Sequence, residues 1–218
     1  MQELLTKGIG HTEFKDSPLG RIPKSWEVKY IGDKCKVIRG ASPRPIGDPK
    51  YFGGNVGWVK IADVTASNKF LKKTKLYLSS LGESKSVRVR HGDLIMSICG
   101  TVGKPIIVDM DACIHDGFVQ FTNIQELDVE FLYYLLQIKV NIFISKAQPG
   151  TQINLNTTIV GGTQFGLPPL PEQKKIAGIL SSIDSNIENK EQKLSKLKDQ
   201  KKALMNDLLT GKVRVKIC

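Results

Sequence analysis

Few residues of this 218-residue sequence have the types and spacing that enzymatic chemistry requires. Gly211-Lys212 and Gly103-Lys104 both lack the upstream glycine of a phosphate-binding P-loop. Ser97 is flanked by Met and Ile, so it is not the serine of a Gly-x-Ser-x-Gly nucleophile elbow. The three histidines and four cysteines show no metal-ligand spacing. We find no signature of ATP-driven, nuclease or nucleotide-methylating chemistry, and we expect neither catalytic nor metal-binding residues.

His115 and Asp116 could supply half of a catalytic triad, with Cys113 or Ser97 as the nucleophile. The alternative is a pair at the end of a strand that makes structural hydrogen bonds. We favour the structural pair, because three histidines without metal spacing leave little else from which to build a catalytic site.

Two glycine-containing turns and a set of basic side chains are better candidates for binding than for catalysis. Such turns present backbone N–H groups and small hydroxyls to phosphate, and Arg and Lys reach phosphates and guanine edges. The alternatives are simple turns and a solvated lysine-rich surface. The candidate DNA-binding residues are Arg44, Lys60, Lys73, Lys75, Arg88, Thr101, Gly150, Thr151 and Gln152.

The formal net charge of +11 is unevenly distributed along the chain. Residues 1–90 carry a net charge of +10, residues 91–170 of −4 and residues 171–218 of +5. A basic chain with this asymmetry favours a polyanionic partner, and nucleic acid before a membrane because no basic amphipathic helix opens the sequence.

The residues before position 170 form short strand-like runs that are broken by Gly and Pro. Apolar runs at 56–61, 94–98, 105–108 and 118–121 predict strands, whereas residues 39–57, rich in Gly and Pro, predict a long irregular loop. One helix is predicted among them at about 128–147, where apolar residues recur at helical spacing. The pattern as a whole predicts an α+β domain with a twisted β-sheet.

The last part of the sequence predicts one long helix over 172–209. Pro171 suits the first helical position, and Gly211 suits the stop. Apolar residues alternate in steps of four and three over about five heptads, which is typical of a coiled coil and predicts a partner helix. The alternative is a single helix lying on its own domain. Lys190 and Lys201 occupy two positions of this seam. The predicted dimer-interface residues are Ile176, Leu180, Ile183, Ile187, Leu194, Leu197, Leu204 and Leu208.

We expect a soluble cytoplasmic protein. No apolar stretch approaches the roughly 20 residues of a membrane span, and the N-terminal residues lack the apolar core of a signal peptide. The four cysteines form no Cys-x-x-Cys pair, which fits a reducing compartment.

A faint internal repeat joins the two ends of the sequence. Met-Gln-Glu-Leu-Leu-Thr-Lys-Gly-Ile at 1–9 is similar to Met-Asn-Asp-Leu-Leu-Thr-Gly-Lys-Val at 205–213, with four identical positions. The chain therefore looks like one period of a longer repeating arrangement.

Several motifs resemble the specificity (S) subunit of type I restriction-modification systems. Pro-Leu-Gly-Arg-Ile-Pro-Lys-Ser-Trp-Glu at 18–27 resembles the opening of its target-recognition domain. Gly-Asp-Leu-Ile-Met-Ser-Ile-Cys-Gly-Thr-Val-Gly-Lys at 92–104 resembles the central strand and turn, and Gly-Thr-Gln at 150–152 a later loop. Leu-Pro-Pro-Leu-Pro-Glu-Gln-Lys-Lys-Ile at 167–176 and Leu-Leu-Thr-Gly-Lys-Val-Arg at 208–214 resemble the two ends of the spacer helix, and they are the most specific part of a resemblance that covers about residues 16–214.

The resemblance implies a non-catalytic subunit. Such subunits carry two target-recognition domains and two long helices in circular pseudo-repeat, and they read a bipartite DNA target. The methyltransferase (M) subunit methylates adenine with S-adenosylmethionine, and the restriction (R) subunit cleaves DNA, so S-adenosylmethionine, ATP and Mg²⁺ belong to the partners and no cofactor is expected in this chain. Because the chain has one recognition domain and one long helix, we expect a half-subunit that binds double-stranded DNA and forms an antiparallel homodimer.

The expected organisation is an N-terminal tail at 1–14, a target-recognition domain at 15–170, a spacer helix at 171–211 and a C-terminal tail at 212–218. Two other function classes stay open, a DNA methyltransferase with a fused recognition domain and a coiled-coil adaptor without a DNA role. The first is disfavoured because the sequence has no Asn/Asp-Pro-Pro-aromatic motif, and the second because the first ninety residues carry a net charge of +10.

Overall fold

The computed structural model describes residues 1–146 and 155–213, which belong to two units. Residues 1–177 form an α+β domain, and the chain from residue 178 onward continues as a long helix. The predicted α+β class and the long C-terminal helix are therefore confirmed. Gly150, Thr151 and Gln152 lie outside the described residues.

Short strands and short helices alternate along the first unit. The strands are β1 (Phe14–Lys15), β2 (Ile22–Pro23), β3 (Glu27–Tyr30), β4 (Lys36–Arg39), β5 (Phe52–Val59), β6 (Phe70–Leu71), β7 (Leu76–Leu78), β8 (Val87–Val89), β9 (Leu94–Ser97), β10 (Pro105–Val108), β11 (Ala112–Ile114), β12 (Phe118–Thr122) and β13 (Gln164–Leu167). The helices are α1 (Gln2–Lys7), α2 (Ile31–Lys34), α3 (Ile61–Thr65), α4 (Ser80–Glu83), α5 (Val129–Ile138), α6 (Val140–Lys146), α7 (Thr157–Gly161) and α8 (Leu170–Leu209).

Two mixed sheets form the centre of the domain. The larger sheet has the order β4-β12-β9-β10-β6 and is antiparallel except for the β10–β6 pair. The smaller sheet has the order β7-β5-β11-β8, with β5 and β11 parallel. Two further strand pairs, β1–β2 and β3–β13, are antiparallel.

The main core lies between the two sheets, because its apolar cluster draws side chains from both. Successive side chains of a strand point to opposite faces, so Trp58 and Cys113 pack on the other face of the smaller sheet with Leu78. The residues of the main cluster are Val59, Val64, Leu71, Val89, Ile95, Ile106, Val108, Ala112, Ile114 and Phe118.

The segment at 39–57 differs from the predicted loop, because β5 already begins at Phe52. The ladder between β5 and β7 shifts register between Phe52 and Val56, which marks a bulge. A Cβ on Gly54 would collide with the carbonyl oxygen of Leu78 on β7. The glycines that predicted a loop therefore serve a close approach of two strands.

The helix predicted at 128–147 is divided into α5 and α6. The N–H of Lys139 is shared between the carbonyl oxygens of Leu135 and Leu136, at 3.2 and 3.1 Å. This bifurcated bond tightens the last turn of α5, as is common at helix ends, and the chain resumes as α6 at Val140.

Gln173 anchors the first turn of α8 in the α+β domain. Its side chain is fully buried, and its Nε2 donates to the carbonyl oxygens of Glu126 (3.0 Å) and Pro168 (2.8 Å). Its Oε1 accepts from the N–H of Asp128 at 2.8 Å. Asp128 caps α5 through a bond from the N–H of Phe131, so one buried amide connects the start of α8 to the start of α5.

Glu172 connects the same helical turn to the N-terminal segment. Its Oε1 accepts from the N–H of Ile9 (3.1 Å) and lies 2.7 Å from His11 Nε2. Its Oε2 accepts from the indole N–H of the buried Trp26 at 3.0 Å. Residues 1–14, predicted as a tail, thus include a helix and a segment that is bound to Glu172.

The exposed part of the predicted seam begins at Ile183. Ile176 and Leu180 are buried within the single chain, so they offer no exposed surface to a second helix. The remaining apolar positions are between 40% and 58% exposed, and we call them the exposed seam: Ile183, Ile187, Leu194, Leu197, Leu204 and Leu208.

Replacing Gln173 by Leu should lower the free energy of unfolding by roughly 3 kcal/mol, because it leaves buried backbone groups of the α5 and α8 starts without partners. Urea unfolding measures the change. The matched control is Gln192→Leu on the exposed surface of the same helix, for which we expect a change of at most about 0.5 kcal/mol. Equal effects of the two substitutions would contradict the anchoring role of Gln173.

Candidate nucleic-acid interface

Loops from both sheets meet at one edge of the domain. Strands β4 and β9 run antiparallel to β12 and end where β12 begins, and the parallel strands β5 and β11 end together. The turn at 115–117 joins β11 to β12, so these ends share one edge. We call this surface the loop edge; it comprises residues 39–48, Lys60, Lys75, residues 98–104 and residues 115–117.

Asp116 holds three residues of the loop edge in place. Its Oδ1 accepts from the Ser42 hydroxyl at 2.7 Å, and its Oδ2 accepts from Arg44 Nη2 at 2.9 Å. Its backbone oxygen accepts from Arg39 Nε at 2.8 Å. The Ser42 bond is the main cause that lowers the pKa of Asp116, with the Arg44 charge adding to it. Asp116 is therefore ionised at neutral pH and positions the loop that carries Arg44.

Arg44 stays accessible although it is paired. Its side chain is 67% exposed, and Asp116 engages one of its two terminal nitrogens. A guanidinium has five N–H donors in a planar fork, so most of them remain available to a phosphate or a base edge.

Lys60 and Lys75 are brought together by the buried Asp63. The carboxylate of Asp63 accepts from the backbone N–H of Lys60 at 3.0 Å and from that of Lys75 at 3.3 Å. The Lys60 ammonium lies 5.0 Å from the centre of the Trp58 ring, a cation–π distance. Burial lowers the pKa of Lys60, and the charges of Asp116 and Asp63 oppose that shift. The structure thus brings Lys60 and Lys75 to the side of the loop edge where β5 ends.

Thr101 lies on the loop edge in the turn between β9 and β10. Its Oγ1 lies 3.4 Å from Thr65 Oγ1 at the end of α3. Lys104, in the same turn, donates through Nζ to the carbonyl oxygens of Thr65 (3.2 Å) and Ser67 (3.0 Å). The described chain resumes at Leu155, whose N–H donates to Ile98 O at 3.0 Å, so residues 150–152 precede a segment that is bound to this edge.

Two of the predicted binding residues are not brought to the loop edge. Arg88 lies in the middle of β8, where its guanidinium pairs with Glu83 and, at 3.2 Å, with Asp111. These two carboxylates, Glu83 foremost, raise the pKa of Arg88 and neutralise its charge locally. Lys73 is exposed between β6 and β7, and among the described residues it forms no ion pair.

His115 and Asp116 make hydrogen bonds in the turn after β11 and to the loop at 42–44, which is the arrangement expected of a structural pair. His115 Nδ1 accepts from the N–H of Gly117 at 2.9 Å, and burial is the main cause that lowers the pKa of His115, so the imidazole is neutral at pH 7. Ser97 Oγ donates to the carbonyl oxygen of Thr101. Cys113 packs in an apolar cluster, and burial raises its pKa to about 11. Within the described ranges neither Ser97 nor Cys113 is hydrogen-bonded to His115.

The sequence did not predict Arg39 and Ser42 as residues of the candidate site, nor the role of Asp116 in holding the loop at 42–44. Arg39 ends a strand, and Asp116 is more than 70 residues from the side chains that it holds. The available signal was the run Arg-Gly-Ala-Ser-Pro-Arg at 39–44, in which two arginines flank small residues. In the part of the chain that the structure describes, no group of three or more His, Cys, Asp or Glu side chains could hold a metal ion, and no helix has the length and apolarity for a membrane span.

The fold and the loop edge define a class of protein: an α+β module with a basic surface built from loops, continued by a long helix with an apolar seam. The model of the family described as type I restriction modification DNA specificity domain matches residues 23–199. The chain belongs to this family, and the resemblance inferred from its motifs is confirmed.

Curated proteins that are similar in sequence to this chain are type I restriction enzyme specificity subunits. The type I restriction enzyme MjaVIII specificity subunit of Methanocaldococcus jannaschii is 32% identical, over 99% of this chain and 53% of its own length. The HindI specificity subunit of Haemophilus influenzae is 26% identical, over 88% of this chain and 42% of its own length. The chain thus spans about half the length of the curated relatives that it matches.

Solved structures share the fold. The HsdS subunit from Thermoanaerobacter tengcongensis matches with a TM-score of 0.66 at 21% identity, covering 89% of this chain and 47% of that one. A chain from a study of assembly and conformational transition of the type I R-M system matches with a TM-score of 0.70 at 23% identity, covering 88% and 46%.

Replacing Asp116 by Asn should lower the free energy of unfolding at pH 7 by about 1 kcal/mol, because charge-assisted bonds to Ser42 and Arg44 are weakened and the site is partly exposed. The folded-state pKa of Asp116 is lowered, so its contribution is present above the unfolded pKa of about 3.9 and is lost as the pH falls further.

Urea unfolding at pH 7, 5 and 3 measures this dependence. The difference between the parent chain and D116N should be constant from pH 7 to 5 and should shrink at pH 3. Asp199→Asn on the exposed surface of α8 is the control and should have no such dependence. A difference that grows toward low pH would contradict the assigned role of Asp116.

Proposed function

We propose that the chain reads duplex DNA through the loop edge, as the specificity subunit or one half of the specificity subunit of a type I restriction-modification complex. The observation that carries this proposal is the loop edge itself. Arg39 ends β4 there, and Arg44, Lys60 and Lys75 lie on segments that Asp116 and Asp63 hold in place. The relatives' designation as type I restriction enzyme specificity subunits supports the same function.

The loop edge suits a DNA surface because acids hold its loops in place while the basic side chains keep donors available. The carboxylates of Asp116 and Asp63 fix the loops through two hydrogen bonds each, which lowers the entropic cost of ordering them on DNA. Arg44 keeps donors for a bidentate contact with guanine or phosphate, and Lys60 and Lys75 supply charge to the backbone. Thr101 and the segment at 150–152 are proposed to add hydroxyl and amide contacts.

Catalysis is proposed to belong to partner subunits. An M subunit would methylate adenine with S-adenosylmethionine and an R subunit would cleave DNA with ATP and Mg²⁺, while this chain selects the site. The proposal for the chain is binding without chemistry. Methyl transfer to DNA by the isolated chain in the presence of S-adenosylmethionine would contradict it.

The partner of the exposed seam is proposed to be a second copy of this chain. Six apolar side chains along a 40-residue helix form a stripe that another helix of the same pattern can cover. A two-fold axis makes such an interface self-complementary, and an antiparallel arrangement carries two recognition domains apart. Two identical readers would then recognise an interrupted palindrome, with the helix setting the gap between half-sites.

The triple substitution Arg44→Ala/Lys60→Ala/Lys75→Ala should weaken binding to duplex DNA by about 100-fold at 0.1 M salt. Each phosphate that is no longer neutralised should reduce the slope of log affinity against log salt by about 0.9. Fluorescence anisotropy across a salt series measures both quantities.

The control removes the same charge from the long helix, as Lys193→Ala/Lys196→Ala/Lys198→Ala. We expect this variant to lose less than about threefold in affinity, because its charges act only at long range and are screened. Equal losses in the two variants would mean that the basic charge attracts DNA without a defined surface and would contradict the loop-edge proposal.

A further inference from the structure

The two similar segments at 1–9 and 205–213 also share a local structure. The first contains α1, which is followed by Gly8 with φ of 70°, and the second is the end of α8, which is followed by Gly211 with φ of 72°. In both, a helix that carries the pair Leu-Leu is followed within three residues by a glycine with positive φ, and the two glycines lie at neighbouring positions of the repeat. The repeat is therefore structural as well as sequential.

The second leucine of the first segment is a packed residue. Leu5 is 2% exposed, and α1 packs against β2 and α5. A cavity between α1 and the domain lies beside Leu5; Gln2 and Thr6 of α1 line one side, and Arg21 and Lys139 lie at its polar part. We call the domain's side of this site the α1 groove; its apolar lining residues are Leu19, Ile22, Trp26, Leu135, Ile138 and Ile142.

The corresponding leucine of the second segment has the opposite environment. Leu209 is 83% exposed, the highest value among the large apolar side chains that are exposed in the described chain. Leu208, which corresponds to Leu4, is 40% exposed. Leu208 and Leu209 are thus exposed to solvent at the end of the long helix. The similar residues of the segment at 1–9, by contrast, pack on the domain.

We propose that residues 205–213 of one chain bind the α1 groove of a second copy, in place of that copy's own α1. The inference rests on the proposed pairing of two copies. Leu209 would occupy the site of Leu5, and Asp207 would correspond to Glu3. A helix rises 1.5 Å per residue, so Leu209 lies about 50 Å along α8 from Ile176, and an antiparallel partner brings a second groove to that end.

The exchange is close to balanced because the two occupants have like sequences. Binding of a chain's own α1 to its groove is favoured by the covalent connection between them. Binding of the segment at 205–213 of the second copy is favoured by the effective concentration that the paired helices provide. A single leucine on either segment should therefore decide which of the two occupies the groove. Exchange of identical or similar elements between copies is a low-cost route to a linked dimer.

Mixed-isotope photocrosslinking of the full chain tests the exchange. Thr210 is replaced by a photoreactive benzoylphenylalanine in ¹⁵N-labelled protein, which is mixed with unlabelled protein, irradiated without DNA and mapped by mass spectrometry. We expect ¹⁵N–¹⁴N crosslinks to residues 18–26 and 135–142. Leu5→Ser should raise their yield at least threefold, and Leu209→Ser should lower it at least fivefold. Leu81→Ser, on the exposed surface of α4, is the matched control and should leave the yield unchanged.

Sedimentation of the same samples separates the two levels of the proposal. A monomer at micromolar concentration overturns both the pairing and the exchange. A dimer whose crosslinks from position 210 miss the groove, or whose yield does not fall in Leu209→Ser, overturns the exchange and leaves the proposed function intact. Leu209 is exposed, so its substitution does not disturb folding and the result stands even where Leu5→Ser unfolds the domain.

Discussion

The connection between the recognition domain and its helix depends on two consecutive side chains, Glu172 and Gln173. Gln173 satisfies two backbone groups before α5 and one before α8, and Glu172 binds the N-terminal segment and the indole of Trp26. Buried polar groups stabilise a fold only when their partners are in place. The first turn of α8 can therefore form its contacts only with the domain fully assembled, and the helix begins as part of that domain.

The same principle governs the loop edge, where acids rather than apolar packing fix the basic loops. The Asp116 carboxylate binds the loop at 42–44, and Asp63 joins the backbone of Lys60 to that of Lys75. Both leave the ammonium or guanidinium groups partly free. A loop held in this way can present charge to a polyanion without collapsing onto the domain. The exposed seam, in contrast, is apolar and remains in contact with water, because within the described chain no other element covers its side chains.

The sequence predicted what depends on local pattern. The bounds of the largely apolar strands β9, β10 and β12, and those of α8, were predicted to within a residue or two. Runs of apolar residues and helical periodicity are patterns of neighbouring residues, which the sequence shows directly. The motifs at 18–27 and 167–176 were enough to indicate the family.

What the sequence did not predict depends on distant contacts. The role of Asp116 requires that residues 42–44 meet a turn more than 70 positions away, and β5 resembled a loop because its glycines serve a partner strand. Arg88 was predicted as a DNA contact, but in the fold its guanidinium pairs with Glu83 and Asp111. A heptad pattern also does not show which of its apolar residues are covered by the same chain, so the burial of Ile176 and Leu180 was not predicted.

Selection of bound duplexes from a random DNA pool, with the parent chain and with a chain lacking the heptad at 191–197, tests the central claim that two copies read DNA at a spacing set by the helix. The parent should select an interrupted inverted repeat. The shortened chain should select the same half-sites with a gap smaller by about three base pairs, since seven residues of helix span about 10.5 Å and a base pair about 3.4 Å. A single half-site without a repeat, or an unchanged gap in the shortened chain, would contradict the account.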